Sequence, residues 1–282
     1  MYDITTQRWY QLDAGADFGE MLLWVFETEA FATARVAQNR KLADEGTTRY
    51  LWETIQVAPL LGNFTLEVIG GPKRQSRMAN IELRFTQVQL KVRDPSMQFK
   101  EISIGVVLAQ EVGTTPASEE PIEWVLFTNY PVKTFEDART VVYGYSLRWR
   151  IEAFHKTWKD VCGVERTQII DPCNLILWSM ILASVAMRIE RLTHLARETP
   201  EAPATVELTP NEIDAAILMQ KPKGFELGDI PTIGEAVEWI AKEGGYRGKS
   251  TTRGPPGTKV IGRGLQRIEI AAQVLATQRR PP

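Results

Sequence analysis

At 282 residues the chain is long enough for one large domain or two ordinary ones, and 44% hydrophobic with 24% charged residues is the balance of a soluble globular protein. A formal net charge of -2 argues against a wholly basic nucleic-acid-binding domain but leaves room for a local basic groove. Two histidines (His155, His194) and two cysteines (Cys162, Cys173) exclude a histidine-rich metal centre, a CxxC redox pair and a zinc knuckle, so any metal must be held by carboxylates, which selects magnesium or manganese.

No apolar leader opens the chain. Residues 8–13, Arg-Trp-Tyr-Gln-Leu-Asp, read as a strand ending on Asp13, and a helical pattern follows from Asp17 through Met21, Leu22 and Val25. Strand-like runs at 65–69, 81–92, 102–112 and 124–128 are rich in Val, Ile, Leu, Phe and Thr. Within the second run Ile81, Leu83 and Phe85 share one phase while Val88, Leu90 and Val92 share the other, which predicts a bulge or a turn. Thr134 and Asp137 have capping-box spacing, and helical periodicity then runs to about Asp160. The apolar run 175–187 is too short to span a bilayer and reads as part of a buried core helix over 174–195. Residues 196–208, rich in Pro and Glu, read as a linker, and short helical patterns fill the rest around a Gly/Pro/basic loop at 244–257. No membrane association is expected, and the expected compartment is the cytoplasm, with reduced thiols.

The most informative stretch is Tyr145-Ser-Leu-Arg148-Trp-Arg-Ile-Glu152-Ala-Phe-His-Lys-Thr-Trp-Lys159. On one helix, at about 100° per residue, Tyr145, Arg148, Glu152 and Lys159 fall within a sector of about 60° along about 21 Å of axis. Leu147, Ile151, Phe154 and Trp158 form the opposing apolar stripe. A carboxylate can hold magnesium, Arg offers a planar fork to phosphate, Lys a point charge and Tyr a hydroxyl, a set suited to in-line phosphoryl displacement. The plainer alternative is an amphipathic surface helix with Arg148 and Glu152 as an i,i+4 ion pair.

The spacing Tyr-x2-Arg-x3-Glu-x6-Lys resembles the signature of the insertion-sequence-four family of DDE transposases, and the text around it is similar to the transposon-five-type branch. The resemblance implies that Glu152 is a catalytic, metal-holding carboxylate and that Tyr145, Arg148 and Lys159 bind a terminal DNA phosphate. Leu12-Asp13-Ala14-Gly15-Ala16-Asp17 resembles the block that holds the family's second catalytic Asp, so Asp13 is implied as the second metal ligand, with Ala14 standing where Arg is usual. By itself Asp13 reads as a turn or helix-cap residue. Residues 121–128 resemble the segment whose Trp stacks on a flipped base, which implies that role for Trp124; the alternative is a core aromatic at a strand start. Residues 244–249 and 255–265 resemble the family's C-terminal dimerisation region.

The resemblance implies a bacterial cut-and-paste transposase, N-terminally truncated relative to its family. Family members carry an end-binding domain and a first catalytic Asp upstream, and Asp3 lies too close to Asp13 to serve. The expected fold is α/β: a partial ribonuclease-H-like catalytic domain over 1–195, with a β-rich insertion at about 50–128 and the signature helix at about 134–160. A linker at 196–208 and a mainly α-helical C-terminal dimerisation domain over 209–282 complete it. The expected cofactor is Mg2+ or Mn2+, and the expected partners are double-stranded transposon-end DNA and a second copy or a full-length transposase. The expected activity is metal-dependent DNA cleavage and strand transfer, silent in this chain alone; the alternative is a dimerising, non-catalytic inhibitor.

Overall fold

The computed structural model describes residues 7–27, 29–43, 49–68, 76–94, 96–117, 119–248 and 254–278. Asp3, Ile69 and Lys249, which entered the sequence reading, lie outside them. The α/β class is as expected, a curled sheet with helices. The chain divides into two compact units between Trp149 and Arg150.

The first unit is built on a six-stranded sheet in the order β1 (Trp9–Leu12), β2 (Phe31–Arg35), β6 (Glu123–Thr128), β5 (Phe99–Val112), β4 (Arg77–Arg93), β3 (Leu60–Val68). β1 and β2 run parallel and are joined through α1 (Gly19–Glu27); every other pairing is antiparallel. One face packs Leu22 and Leu23 of α1 and Leu51 and Ile55 of α2 (Leu51–Gln56) onto Val88, Leu90, Ile104 and Val106. The other packs Ala138, Val141 and Val142 of α3 (Phe135–Ser146) onto Ala79, Ile81, Leu83 and Val107.

This two-sided core corrects the bulge expected in β4. Its ladder with β5 is unbroken from Asn80↔Val112 to Arg93↔Phe99. Side chains alternate faces along a strand. The phase changes because the first half of β4 is covered by α3 on one face and the second half by α1 and α2 on the other. The capping box at the head of α3 forms as expected: Thr134 Oγ1 accepts from the Asp137 amide at 3.2 Å, and Asp137 Oδ2 accepts from the Thr134 amide at 2.8 Å.

The second unit contains α4 (Arg150–Lys156), a π-helical segment Thr157–Val161, α5 (Pro172–Glu198), α6 (Pro210–Gln220), α7 (Ile233–Glu243) and α8 (Thr258–Gln278). Its core joins Ile189 and Leu192 of α5 to Ile213 and Ile217 of α6, Val237 and Ile240 of α7, and Ile261, Leu265 and Ile268 of α8. The crossing of α7 and α8 depends on glycine. A Cβ on Gly264 would come within 1.7 Å of the Ile240 carbonyl oxygen, and one on Gly244 within 1.8 Å of that of Val260. The backbones approach too closely for any larger residue.

Two expectations are corrected here. Residues 196–208 are no loose linker: Ala204 and Leu208 are buried in the helical core, and the Leu208 amide donates to the Ala204 carbonyl at 2.9 Å. Proline and glutamate content signals chain direction changes without signalling burial. The run 175–187 is not a buried core segment either: Ile176, Met180 and Met187 are each about 60% exposed, at 60%, 62% and 59%. An all-round apolar run carries no period to tell which face is covered. The 27-residue helix is also longer than the run, and by length and composition alone it is apolar enough to cross a membrane.

Candidate functional site

Asp13 follows directly on β1 and caps the short 3-10 turn Ala14–Ala16, its Oδ1 accepting from the Gly15 amide at 2.9 Å. The residue is exposed. The capping role is therefore real, and it does not consume the carboxylate.

Four residues on, Asp17 does something the sequence did not signal. Its side chain is fully buried, Oδ2 accepts from the Ala37 and Gln38 amides at 2.7 and 3.1 Å, and Oδ1 accepts from Arg40 Nε at 2.8 Å. Arg40 Nη2 also donates to the Asp17 carbonyl at 2.7 Å. Asp17 thus ties the turn after Asp13 to the segment beyond β2. Nothing in the spacing of Asp17 and Arg40 announces this pairing; only the parallel β1–α1–β2 crossover brings them together.

Trp124 opens β6 half-buried, and its ring lies edge-on to Tyr145 with centroids 5.2 Å apart. Tyr145 is 5% exposed and belongs to the core beneath α3. The plain reading of Trp124 as a core-edge aromatic is therefore satisfied, and Tyr145 does not stand on an open edge.

The signature is not one helix, which corrects the expected element at 134–160. α3 ends at Ser146, and a turn over 147–149 follows, with the Leu147 amide donating to Gly144 at 3.2 Å and the Arg148 amide to Tyr145 at 3.0 Å. α4 resumes at Arg150 and passes into the π-helical segment at Thr157. These i,i+3 bonds and the π turn change the angular advance per residue, so the 100° wheel does not carry from Tyr145 to Lys159. Ile151, expected in the apolar stripe, is 49% exposed, whereas Phe154 and Trp158 do stack, with centroids 6.0 Å apart.

Arg148 lies in the turn, half-buried, at the end of the first unit. Glu152 is exposed on α4, and Lys159 is exposed on the π-helical segment. Lys159 Nζ pairs with Glu165 at 2.7 Å, and that hydrogen bond raises the ammonium pKa, keeping it charged. Asp13, Trp124, Tyr145 and Arg148 thus fold with one unit, Glu152 and Lys159 with the other.

Two buried side-chain polar atoms among the described residues have no hydrogen-bond partner, and both lie in these segments: Gln11 Oε1, two residues before Asp13, and Trp158 Nε1. Among the described residues no cluster of three His, Cys, Asp or Glu side chains could hold a metal. The carboxylate oxygens of Asp13 and Glu152 are hard donors, of the kind that hold divalent cations.

Comparison with protein families gives two matches. Residues 6–187 match the family described as Transposase DDE domain, and residues 184–279 match Transposase Tn5 dimerisation domain.

Proposed function

The chain belongs to the DDE transposases, and on that premise we propose that it supplies the second and third acidic positions of a DNA cleavage and strand-transfer site of the insertion-sequence-four type. The observation that carries this reading is the coincidence of the Tyr145–Lys159 signature with the family match over 6–187. Asp13 and Glu152, both exposed carboxylates, would hold Mg2+ or Mn2+. When bound, such an ion neutralises charge at the phosphoryl group and activates the attacking oxygen. Arg148 would clamp a DNA phosphate with its planar fork and Lys159 with its point charge, after release from its exposed pair with Glu165. Trp124 would present its ring to a flipped base. Tyr145 would buttress that ring, and its hydroxyl would reach phosphate only at the edge of the core.

The direct test is Mn2+ titration by calorimetry with transposon-end duplex present. Asp13→Asn and Glu152→Gln should each weaken binding. Two variants that bind Mn2+ like the parent would exclude a shared metal site. In parallel, Arg148→Ala with Lys159→Ala should lower the log–log salt slope of duplex binding by about 1.8, at about 0.9 per phosphate contact.

A second reading rests on the dimerisation match at 184–279. A chain that pairs with an intact relative through this region without itself cutting DNA would hold that relative in unproductive dimers. Mixing it with an active transposase of this type should yield heterodimers by co-sedimentation and loss of strand transfer.

A further inference from the structure

A groove in the first unit carries chemistry that the signature residues do not use. It is an open cavity of about 700 Å³ lined by Arg40, Lys41, Arg49 and Lys91 together with Tyr50 and Phe99. Leu90, also in its wall, belongs to the core under α1 and α2, whereas Trp124 and Tyr145 pack on the core under α3. Lys91 and Phe99 are out of phase with Leu90 and Ile102 on the β4–β5 ladder, and Lys41 is out of phase with Leu42, which bridges Leu90. These side chains therefore stand on the same face of the sheet as Trp124, at the far end of the ladder from it.

Its wall is held by backbone bonds. The Ala43 amide donates to Gln89 at 2.8 Å, the Leu42 amide to Arg49 at 2.9 Å and the Leu51 amide to Arg40 at 2.9 Å. Lys41 and Tyr50 face each other in an antiparallel bridge, and Leu42 bridges to Leu90. The cations differ in what they are free to do. Arg40 is committed to Asp17, and Lys91 is in an exposed pair with Glu101 at 3.3 Å. Lys41 and Arg49 are exposed and enter no ion pair with a described residue. Tyr50 is 46% and Phe99 62% exposed, and Arg93 lies over the Phe99 ring at 4.9 Å.

Cations outside any ion pair among the described residues, beside exposed aromatic faces, form the pattern that recognises single strands: charge tracks the phosphates and rings stack on unpaired bases. A duplex hides its base faces and would leave Tyr50 and Phe99 without a role. We propose that this groove binds single-stranded DNA, with Lys41 and Arg49 on successive phosphates and Tyr50 and Phe99 stacked on bases. The proposal rests on the DNA-acting reading above for its choice of polymer, and uses none of the residues assigned there.

The test is fluorescence anisotropy of the full chain with a short labelled oligo-dT, and with the same strand annealed to oligo-dA. The single strand should bind more tightly. Lys41→Ala with Arg49→Ala should lower the log–log salt slope by about 1.4, at about 0.7 per single-strand phosphate contact. Tyr50→Ala should weaken single-strand binding about tenfold and leave the salt slope unchanged, as loss of one stacked base predicts. Lys133→Ala with Lys223→Ala, two exposed cations outside the groove, should change neither. Circular dichroism of each variant checks the fold. Equal affinity for duplex and single strand overturns the proposal, as does an unchanged slope in the Lys41/Arg49 variant. Either failure leaves the Arg148 and Lys159 duplex result standing on its own.

Discussion

Asp13 and Asp17 share a six-residue block and differ in what their surroundings ask of them. Asp13 is exposed and caps a single turn, so Asp13→Ala should cost about 1 kcal/mol of stability, the usual worth of a cap. Asp17 is buried against Arg40 and two amides, and removing one partner of such a pair leaves the other charge uncompensated. Asp17→Ala should therefore cost about 3 kcal/mol in urea unfolding. A loss as small as that of Asp13→Ala would show that the pair is not what anchors this turn. A second residue-scale effect is pH-dependent. Burial pushes the Glu212 carboxyl up, but the hydrogen bonds from Arg188 and the Thr209 amide, with the Arg188 charge, outweigh it and hold the group below its ordinary 4.5. A depressed carboxyl stabilises above its unfolded pKa, and that stability fades as pH falls below about 4.5 through the folded value. Glu269, on the same arginine, works in the other direction: burial raises it, so its contribution favours the folded state at lower pH. Glu212→Gln should flatten the acid limb of a stability–pH profile. An acid limb equally steep in the variant would remove Glu212 as its source.

Among the elements, β4 is the one whose reading changes most between sequence and structure. Its phase switch is plain in the residues, and only its cause was open, since a bulge and a change of covered face produce the same apolar pattern. Leu83 and Leu90 lie on the two faces of this one strand, in different cores. Each Leu→Ala should cost about 2–5 kcal/mol, and the double variant should equal the sum to within about 0.5 kcal/mol because no partner is shared. A clear non-additive coupling in chemical denaturation would mean that the two cores are one. The strands, the Thr134 cap and the helix after Asp13 were legible because their signals are local: β-branched alternation, a Thr and Asp three apart, a period near 3.6. The break at 147–149 was not. Ser-Leu-Arg-Trp contains no Gly or Pro to mark it, and a wheel assumes the continuity it is meant to test. The Asp17–Arg40 pair and the Gly244–Gly264 contact were invisible for a different reason, since both exist only through tertiary approach.

At the scale of the whole molecule, the expected dimer must be made by what the helical core leaves over. Ile213, Ala216, Ile217, Leu265, Ile268 and Ala272 are consumed in the unit's own interior. Ile270 and Val274, one turn apart on α8, remain 60% and 53% exposed. A concentration-dependent dimer should appear in sedimentation, and Ile270→Glu with Val274→Glu should abolish it without unfolding the unit. A dimer that survives both charges would have to use another face. The division between Trp149 and Arg150 has a different kind of consequence. The fifteen-residue signature reads as a single word, but its first syllable is spelled by one folding body and its second by another. A stability measurement on either unit therefore reads only part of the motif: a substitution at Tyr145 or Arg148 bears on the folding of the first unit, one at Glu152 or Lys159 on that of the second.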